Sequence, residues 1–252
     1  MRPNLTKRLL AAGKPAIGLF CTTASSLAAE ALGHAGYDFV TVDMQHSEND
    51  LGNLQGMLQA LSSTPATPLV RVPANMAVYI QRSLDMGAYG VMVPLVNTRE
   101  EAEAILQSVR YAPAGARSWG PVRGMLYGGS DYFAKSPEEL LTIVMLETAE
   151  SARNAKEILS TPGIDACFIG PNDLCITLGF PSGLVELPAP VEEAIETILK
   201  AAQATGKAAG IQVFSAEAAN PRIAQGFRFV SVMSDIVMMR QTAAQTLKTI
   251  KR

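Results

Sequence analysis

"FVTVDMQHSENDLGNLQGMLQALSSTPATPLVRVP", residues 39–73, changes texture twice. It opens on an apolar, β-branched run (39–44) and closes on another (68–73). Both are nearly apolar throughout, as parallel strands covered on both faces are. Between them, Leu51, Leu54, Leu58 and Leu61 fall on one helical face. Strand, helix, strand is the repeating unit of an α/β fold, and the alternation continues in both directions. Further strands are expected at 15–21, 89–94, 142–147, 166–171, 208–214 and 227–233. Helical spacing recurs over Leu27–Leu32, Ile80–Met86, Ala102–Val109, Ala152–Leu159, Val191–Ala204 and in "IVMMRQTAAQTLKTIK" after the last strand. Gly36, Gly87, Gly206 and Gly226 follow helices, where glycine accepts the left-handed conformation that ends them. Eight strand–helix units in 252 residues predict a single (β/α)8 barrel domain spanning 1–252. A doubly wound open sheet is the alternative, for which eight units would be many.

The rest of the composition narrows the partners. With 48% hydrophobic residues the chain can bury a full core, and a net charge of −2 with no Lys/Arg-rich run argues against nucleic acid and anionic membrane. No apolar run approaches the ~18–20 residues of a membrane span. The first residues lack the uninterrupted apolar stretch of a secretory signal. Cys21, Cys167 and Cys175 share no metal-site spacing and leave one cysteine over, which suits a reducing, cytoplasmic setting. One stretch is irregular: "APAGARSWGPVRGMLYGGSDYFAK", 112–135, rich in Gly, Pro and aromatics. A loop this long is usually functional or disordered. Its aromatics and arginines favour an ordered flap over the barrel mouth.

In a (β/α)8 barrel the active site lies at the C-terminal ends of the strands. Four capable side chains pass that filter: His46 after the second strand, Arg71 in the third, Glu147 closing the fifth and Asp173 after the sixth. Singly, each has an ordinary structural reading, as a cap, an ion pair or a loop hydrogen bond. Together they suggest one site. Two carboxylates without a nearby cysteine or histidine pair suit a hard divalent cation, Mg2+ or Mn2+, ahead of zinc. An arginine beside it would hold a carboxylate or a developing enolate. A histidine, with an ordinary pKa near ~6.5, would move the proton. Asp85, near the end of a helix, is either a surface aspartate or the residue that orients His46. None of the eight lysines ends a strand, so Schiff-base chemistry is not expected. His34 reads as structural and Cys175 as packing.

"VDMQH" (42–46), "LVRVP" (69–73), "YAPAGARSWG" (111–120), "MLETAES" (145–151) and "FIGPNDL" (168–174) resemble, in order, the HpcH/HpaI aldolase family. That family comprises metal-dependent (class II) pyruvate aldolases related to 2,4-dihydroxyhept-2-ene-1,7-dioate aldolase. The resemblance implies a (β/α)8 TIM barrel of the phosphoenolpyruvate/pyruvate-domain type, with the last helix exchanged between subunits of a hexamer built as a trimer of swapped dimers. It implies metal ligation by Glu147 and Asp173 (Mg2+ or Mn2+ first, with Co2+ or Zn2+ as alternatives), pyruvate binding by Arg71, and His46 as base with Asp85 as its partner. Backbone amides near Gly170 and Asn172 would receive the pyruvate carboxylate. The activity implied is reversible cleavage of 4-hydroxy-2-oxo acids to pyruvate and an aldehyde, in aromatic or sugar-acid catabolism. Oxaloacetate decarboxylation, acyl-CoA lysis and simple 2-oxo-acid binding are the alternatives. Two departures from the family pattern bear on the pocket: Gln45 where glutamate is frequent, and Asn172 where alanine is common. Arg117, Trp119, Arg123 and Tyr127 of the flap are candidate contacts for the aldehyde half. "RSWGPVRG" also resembles a branch of the wider superfamily that decarboxylates oxaloacetate.

Overall fold

The computed structural model describes residues 1–251. Eight strands form in the expected places: Ala16–Cys21 (β1), Phe39–Asp43 (β2), Thr67–Arg71 (β3), Gly90–Val93 (β4), Leu141–Met145 (β5), Ala166–Ile169 (β6), Ala208–Val213 (β7) and Phe229–Ser234 (β8). Each pairs in parallel with its neighbour in sequence, and β8 returns to β1, so the sheet closes into a (β/α)8 barrel rather than an open sheet. Around it run the helices Leu5–Ala11 (α1), Ser26–Gly33 (α2), Leu51–Leu61 (α3), Ala77–Asp85 (α4), Arg99–Val109 (α5), Val122–Gly128 (α6), Tyr132–Glu139 (α7), Ala149–Leu159 (α8), Pro171–Thr177 (α9), Ala189–Ala204 (α10), Ala216–Gln225 (α11) and Asp235–Thr249 (α12). No helix among the described residues is long and apolar enough to cross a membrane.

Strand alternation divides the core in two. Inward-facing residues, among them Phe39, Leu69, Met92, Ile143, Met145, Phe168 and Phe229, fill the barrel. Outward-facing ones, such as Leu19, Val40, Val42, Val70 and Val144, pack under the helices with Leu54, Leu58, Ile105 and Ile158. The interior is tight: a Cβ at Gly18 would run into the ring and carbonyl of Phe39. Five helices that follow strands start on a side-chain cap, at Ser25, Asp50, Thr98, Thr148 and Ser215, and at Thr98 the Glu101 carboxylate bonds back to complete a capping box.

α1 closes the N-terminal end, where Leu9 and Leu10 pack against the interior cluster. The 112–135 segment sits at this same end, and its expected place over the mouth is corrected. It joins a helix to the next strand, and in a barrel such joints fall on the face opposite the strands' C-terminal ends. It is ordered into α6 and α7 and tied down locally. Arg2 N–H donates to Gly128 O at 2.8 Å, and Arg123 donates to the carbonyls of Met86 and Leu58 and to Ser62 Oγ. The cysteines are all buried thiols. α12 is held at its first turn only: Asp235 accepts hydrogen bonds from Thr22 and Thr23 in the loop after β1. From Met239 to Ile250 every residue is exposed.

Candidate active site

The inward columns of the strands are apolar over the barrel and turn polar at its C-terminal rim. On β2 the column runs Phe39, Thr41, Asp43; on β3, Thr67, Leu69, Arg71; beyond β5, Ile143, Met145, Glu147; beyond β6, Ala166, Phe168, Gly170; on β7, Gly210, Gln212. The period of two therefore delivers Asp43, Arg71, Glu147 and Gln212 to one cleft of about 320 Å3. His46 and Asp173 join them from the loops after β2 and β6, and Phe20, Met145, Phe168 and Phe214 supply apolar wall. The four residues expected to meet at the mouth do so.

Arg71 is held from two sides. Asp43 stands beside it in register on the neighbouring strand. The two form a fork, with Nε to Oδ1 at 2.7 Å and Nη2 to Oδ2 at 2.6 Å. The Phe20 ring lies 4.5 Å under the guanidinium carbon. Asp43 Oδ1 also accepts the N–H of Gln45 at 3.0 Å and of His46 at 3.5 Å. One fully buried carboxylate thus sets both the arginine and the start of the histidine loop. Asn49 braces that loop, its amide donating to the carbonyls of Asp43 and Cys21. The His46 side chain is exposed at the rim.

Glu147 is 2% exposed. Its Oε1 accepts the Leu95 N–H at 2.9 Å, and Leu95 takes a left-handed backbone (φ 55°) to present it. That conformation is uncommon for a non-glycine residue and gathers at functional sites. Oε2 is turned toward Gly170. A Cβ there would stand 2.5 Å from Glu147 Oε2 and 3.5 Å from Asp173 Oδ2, so a larger residue would fill the space between the two carboxylates. Burial pushes the Glu147 carboxyl up to about 7; the Leu95 N–H opposes the rise, the Asp173 charge adds to it, and Arg71 opposes it. A buried carboxylate left this short of positive charge suits a cation between it and Asp173.

The remaining expected residues divide. Gly170 and Asn172 line the cleft, with Gly170 as the N-cap of α9. The Asn172 side chain turns to accept Gly183 N–H at 2.9 Å. Gln45 does not line the cleft; its Oε1 is buried without a hydrogen-bond partner among the described residues. Asp85 ends α4 at the base of the barrel and pairs with Arg117 at 2.8 Å. Helices run opposite to the strands, so within one chain it is at the far end from His46. Arg117, Trp119, Arg123 and Tyr127 lie at the base as well. Arg117 is buried between the rings of Tyr111 and Tyr132, Trp119 packs on Tyr111 and Phe133, and Arg123 holds the ends of α3 and α4. Sequence reasoning missed Asp43, Leu95 and Gln212. Asp43 carried a usable signal, since it stands four residues beyond Phe39 on the same strand face.

The chain is similar along nearly its whole length to proteins of one family. The family model of HpcH/HpaI aldolase/citrate lyase matches residues 16–242. Hydroxypyruvate/pyruvate aldolase of Rhizorhabdus wittichii is 40% identical over 235 residues, covering 93% of this chain and 94% of that one. 5-keto-4-deoxy-D-glucarate aldolase of Escherichia coli K12 is 36% identical over 252 residues, covering 99% and 98%. Among solved structures, an HpcH/HpaI aldolase/citrate lyase family protein from Burkholderia cenocepacia superposes with a TM-score of 0.90 at 32% identity, over 97% of this chain and 98% of the other.

Proposed function

Since the chain belongs to the HpcH/HpaI aldolase/citrate lyase family and is a carbon–carbon lyase of aldolase type, we propose that it cleaves 4-hydroxy-2-oxo acids reversibly to pyruvate and an aldehyde. The observation that supports this best is a fixed guanidinium facing a pair of unneutralised carboxylates across one small cleft. Arg71 binds the 2-oxo acid end of the substrate and meets the negative charge that develops there. Because Asp43 and Phe20 already hold it, little reorganisation is needed as that charge appears. His46, directly or through a water, takes the proton from the 4-hydroxyl. The C3–C4 bond then breaks, its electrons pass into the pyruvate enolate, and the aldehyde leaves.

Glu147 and Asp173 would hold a divalent cation, Mg2+ or Mn2+. When bound it supplies Lewis-acid polarisation of the substrate oxygens. The donor set fits: oxygen atoms only, one carboxyl raised to about 7 by burial and by its neighbour, and a Gly170 cradle that leaves the space between them free. As a single barrel domain, the chain is proposed to work as a hexamer of swapped dimers. The exposed Ile236, Met239, Leu247 and Ile250 of the C-terminal segment support a partner for α12. In such an assembly Asp85 and the 112–135 segment would have to reach His46 from a neighbouring subunit. The three buried thiols suit the cytoplasm.

The test is release of pyruvate from a panel of 4-hydroxy-2-oxo acids before and after exhaustive chelation, with Mg2+ and Mn2+ added back. Full activity after chelation would remove the metal from the proposal. A covalent adduct trapped by borohydride with pyruvate would replace it with imine chemistry.

A further inference from the structure

Two non-glycine residues among those described take a left-handed backbone, Leu95 (φ 55°) and Met233 (φ 62°). Leu95 uses it to present its N–H to Glu147. Met233 stands across the mouth, near the end of β8, and lines the cleft. Its conformation accompanies a bulge in the strand that closes the barrel. Gly18 of β1 pairs with Ser231 and Phe20 pairs with Ser234, so three steps along β8 match two along β1. The Gln212 amide donates to the Met233 carbonyl at 3.2 Å and holds the bulge from the β7 side.

Two residues past Met233, Asp235 begins α12 and reaches back over the end of β1. Its Oδ1 accepts the N–H and hydroxyl of Thr22 at 2.8 and 2.6 Å, and its Oδ2 accepts those of Thr23 at 2.9 and 2.6 Å. Oδ1 also accepts the Ile236 N–H at 2.8 Å, and the Cys21 thiol approaches Oδ2 at 3.4 Å. Asp235 is buried, and no lysine or arginine among the described residues pairs with it. Burial opposes its charge, but the hydrogen bonds from Thr22 and Thr23 outweigh that and hold the carboxyl below its ordinary range. Where the ladder between β1 and β8 ends, this carboxylate carries the connection on into the loops. The latch lies in the wall of the cleft, with Thr22 on one side of it and Ser234 and Ile236 on the other. Phe20, two residues before Thr22 on the same strand face, lies 4.5 Å from the Arg71 guanidinium carbon. The far flank of β1 is already fixed, because its ladder with β2 runs as far as Cys21.

We propose that Asp235 is a positioning residue for the chemistry at the mouth, fixing the end of β1 so that the Phe20 ring stays under Arg71. The inference rests on the aldolase reading above, in which Arg71 meets the charge of the pyruvate enolate. Asp235 acts on the guanidinium through Phe20 and touches no substrate. Because it also starts α12, the seating of that helix and the seating of Arg71 are set by one group. Asparagine has the same shape but cannot replace it. Whichever way the amide turns, its nitrogen meets the backbone N–H of Thr22 or of Thr23.

Exchange of the pyruvate methyl protons in deuterium oxide, followed by NMR with Mg2+ present, reads the Arg71 half of the site without an aldehyde. Asp235→Asn should lower kcat/KM for exchange about tenfold per folded molecule, as a misplaced binding group does. Thr23 does not line the cleft, and Thr23→Val, which removes one donor from the latch, should lower it about threefold. Phe20→Leu removes the ring, and in that background Asp235→Asn should cost less than about twofold. Should Asp235→Asn fail to fold by circular dichroism, Thr23→Val with and without Phe20→Leu decides in its place. Unchanged exchange in the folded latch variants, or an equal loss with and without the Phe20 ring, would overturn the proposal and leave the proposed function standing. Wild-type protein that exchanges no protons would overturn the proposed function, and this inference with it.

Discussion

The two ends of this barrel handle charge in opposite ways. At the base, Arg123 donates to the carbonyls that end α3 and α4, Arg117 sits between two tyrosine rings with Asp85, and Lys7 neutralises Asp165. Cations there stabilise helix ends and connections. At the mouth, Asp43 fully occupies one edge of Arg71, while Glu147 and Asp173 stand on either side of Gly170, and neither forms an ion pair with a lysine or arginine among the described residues. The end whose charges are paired is scaffold. The end left short of charge has room for a substrate and an ion.

The contrast can be broken at several points. The largest effect is expected from His46→Ala, which should slow aldol cleavage about 10²–10⁴-fold. Oxaloacetate decarboxylation needs no hydroxyl deprotonation and should fall far less. Parallel assays of both reactions check this, and equal losses would remove His46 from the proton transfer. Arg71→Ala should cost about 10²–10³ in kcat/KM. Arg71→Lys should recover little, because an ammonium cannot reproduce the fork with Asp43. Asp43→Asn should retain the arginine but misplace it, at a cost of about 10²-fold; unchanged kinetics would show that Phe20 alone suffices.

A pH experiment sharpens the same comparison. In the metal-free protein Glu147 keeps its proton up to about 7, whereas an unfolded glutamate releases it near 4.5. Between those values the folded state binds the extra proton, so stability should fall as pH rises through the window, by of order 3 kcal/mol. Below it both states are protonated and above it both are ionised, so the slope vanishes. Urea unfolding at a series of pH values should show this dependence, and Glu147→Gln should flatten it. Divalent-cation affinity should rise over the same window as the proton ceases to compete. The smallest effect belongs to the base. Arg123→Met should lower stability by about 1–3 kcal/mol, leaving helix-end carbonyls unpaired, with little change in turnover per folded molecule. A fall in activity at unchanged stability would instead bring the 112–135 segment into a neighbouring subunit's chemistry.

Much of this was legible beforehand, and the misses have identifiable causes. All eight strands were visible because each is a short apolar run bounded by breakers. α6 and α7 were hidden by glycine and proline: "GPVRGMLYGG" offers no apolar stripe, and Gly124 and Tyr132 find their packing against each other and against Leu84 of α4. His46, Arg71, Glu147 and Asp173 could be picked out because a barrel puts chemistry where its strands end. Asp43 was passed over because a carboxylate one residue short of a loop looks like a strand terminus. Its meaning depends on Arg71, 28 residues away in sequence and adjacent in register.

The sequence by itself determined the alternation of strand and helix, and with it the barrel and the identity of its polar rim. Both are local properties, written in periods of two and 3.6 residues. Only the tertiary structure decided which end each connection occupies, and so moved Asp85, Arg117, Trp119 and Arg123 from the mouth to the base. It also decided which charges find partners. Parallel strands place their helix-to-strand joints opposite their strand-to-helix joints, and pairing across the barrel depends on register between distant segments, which no local pattern records.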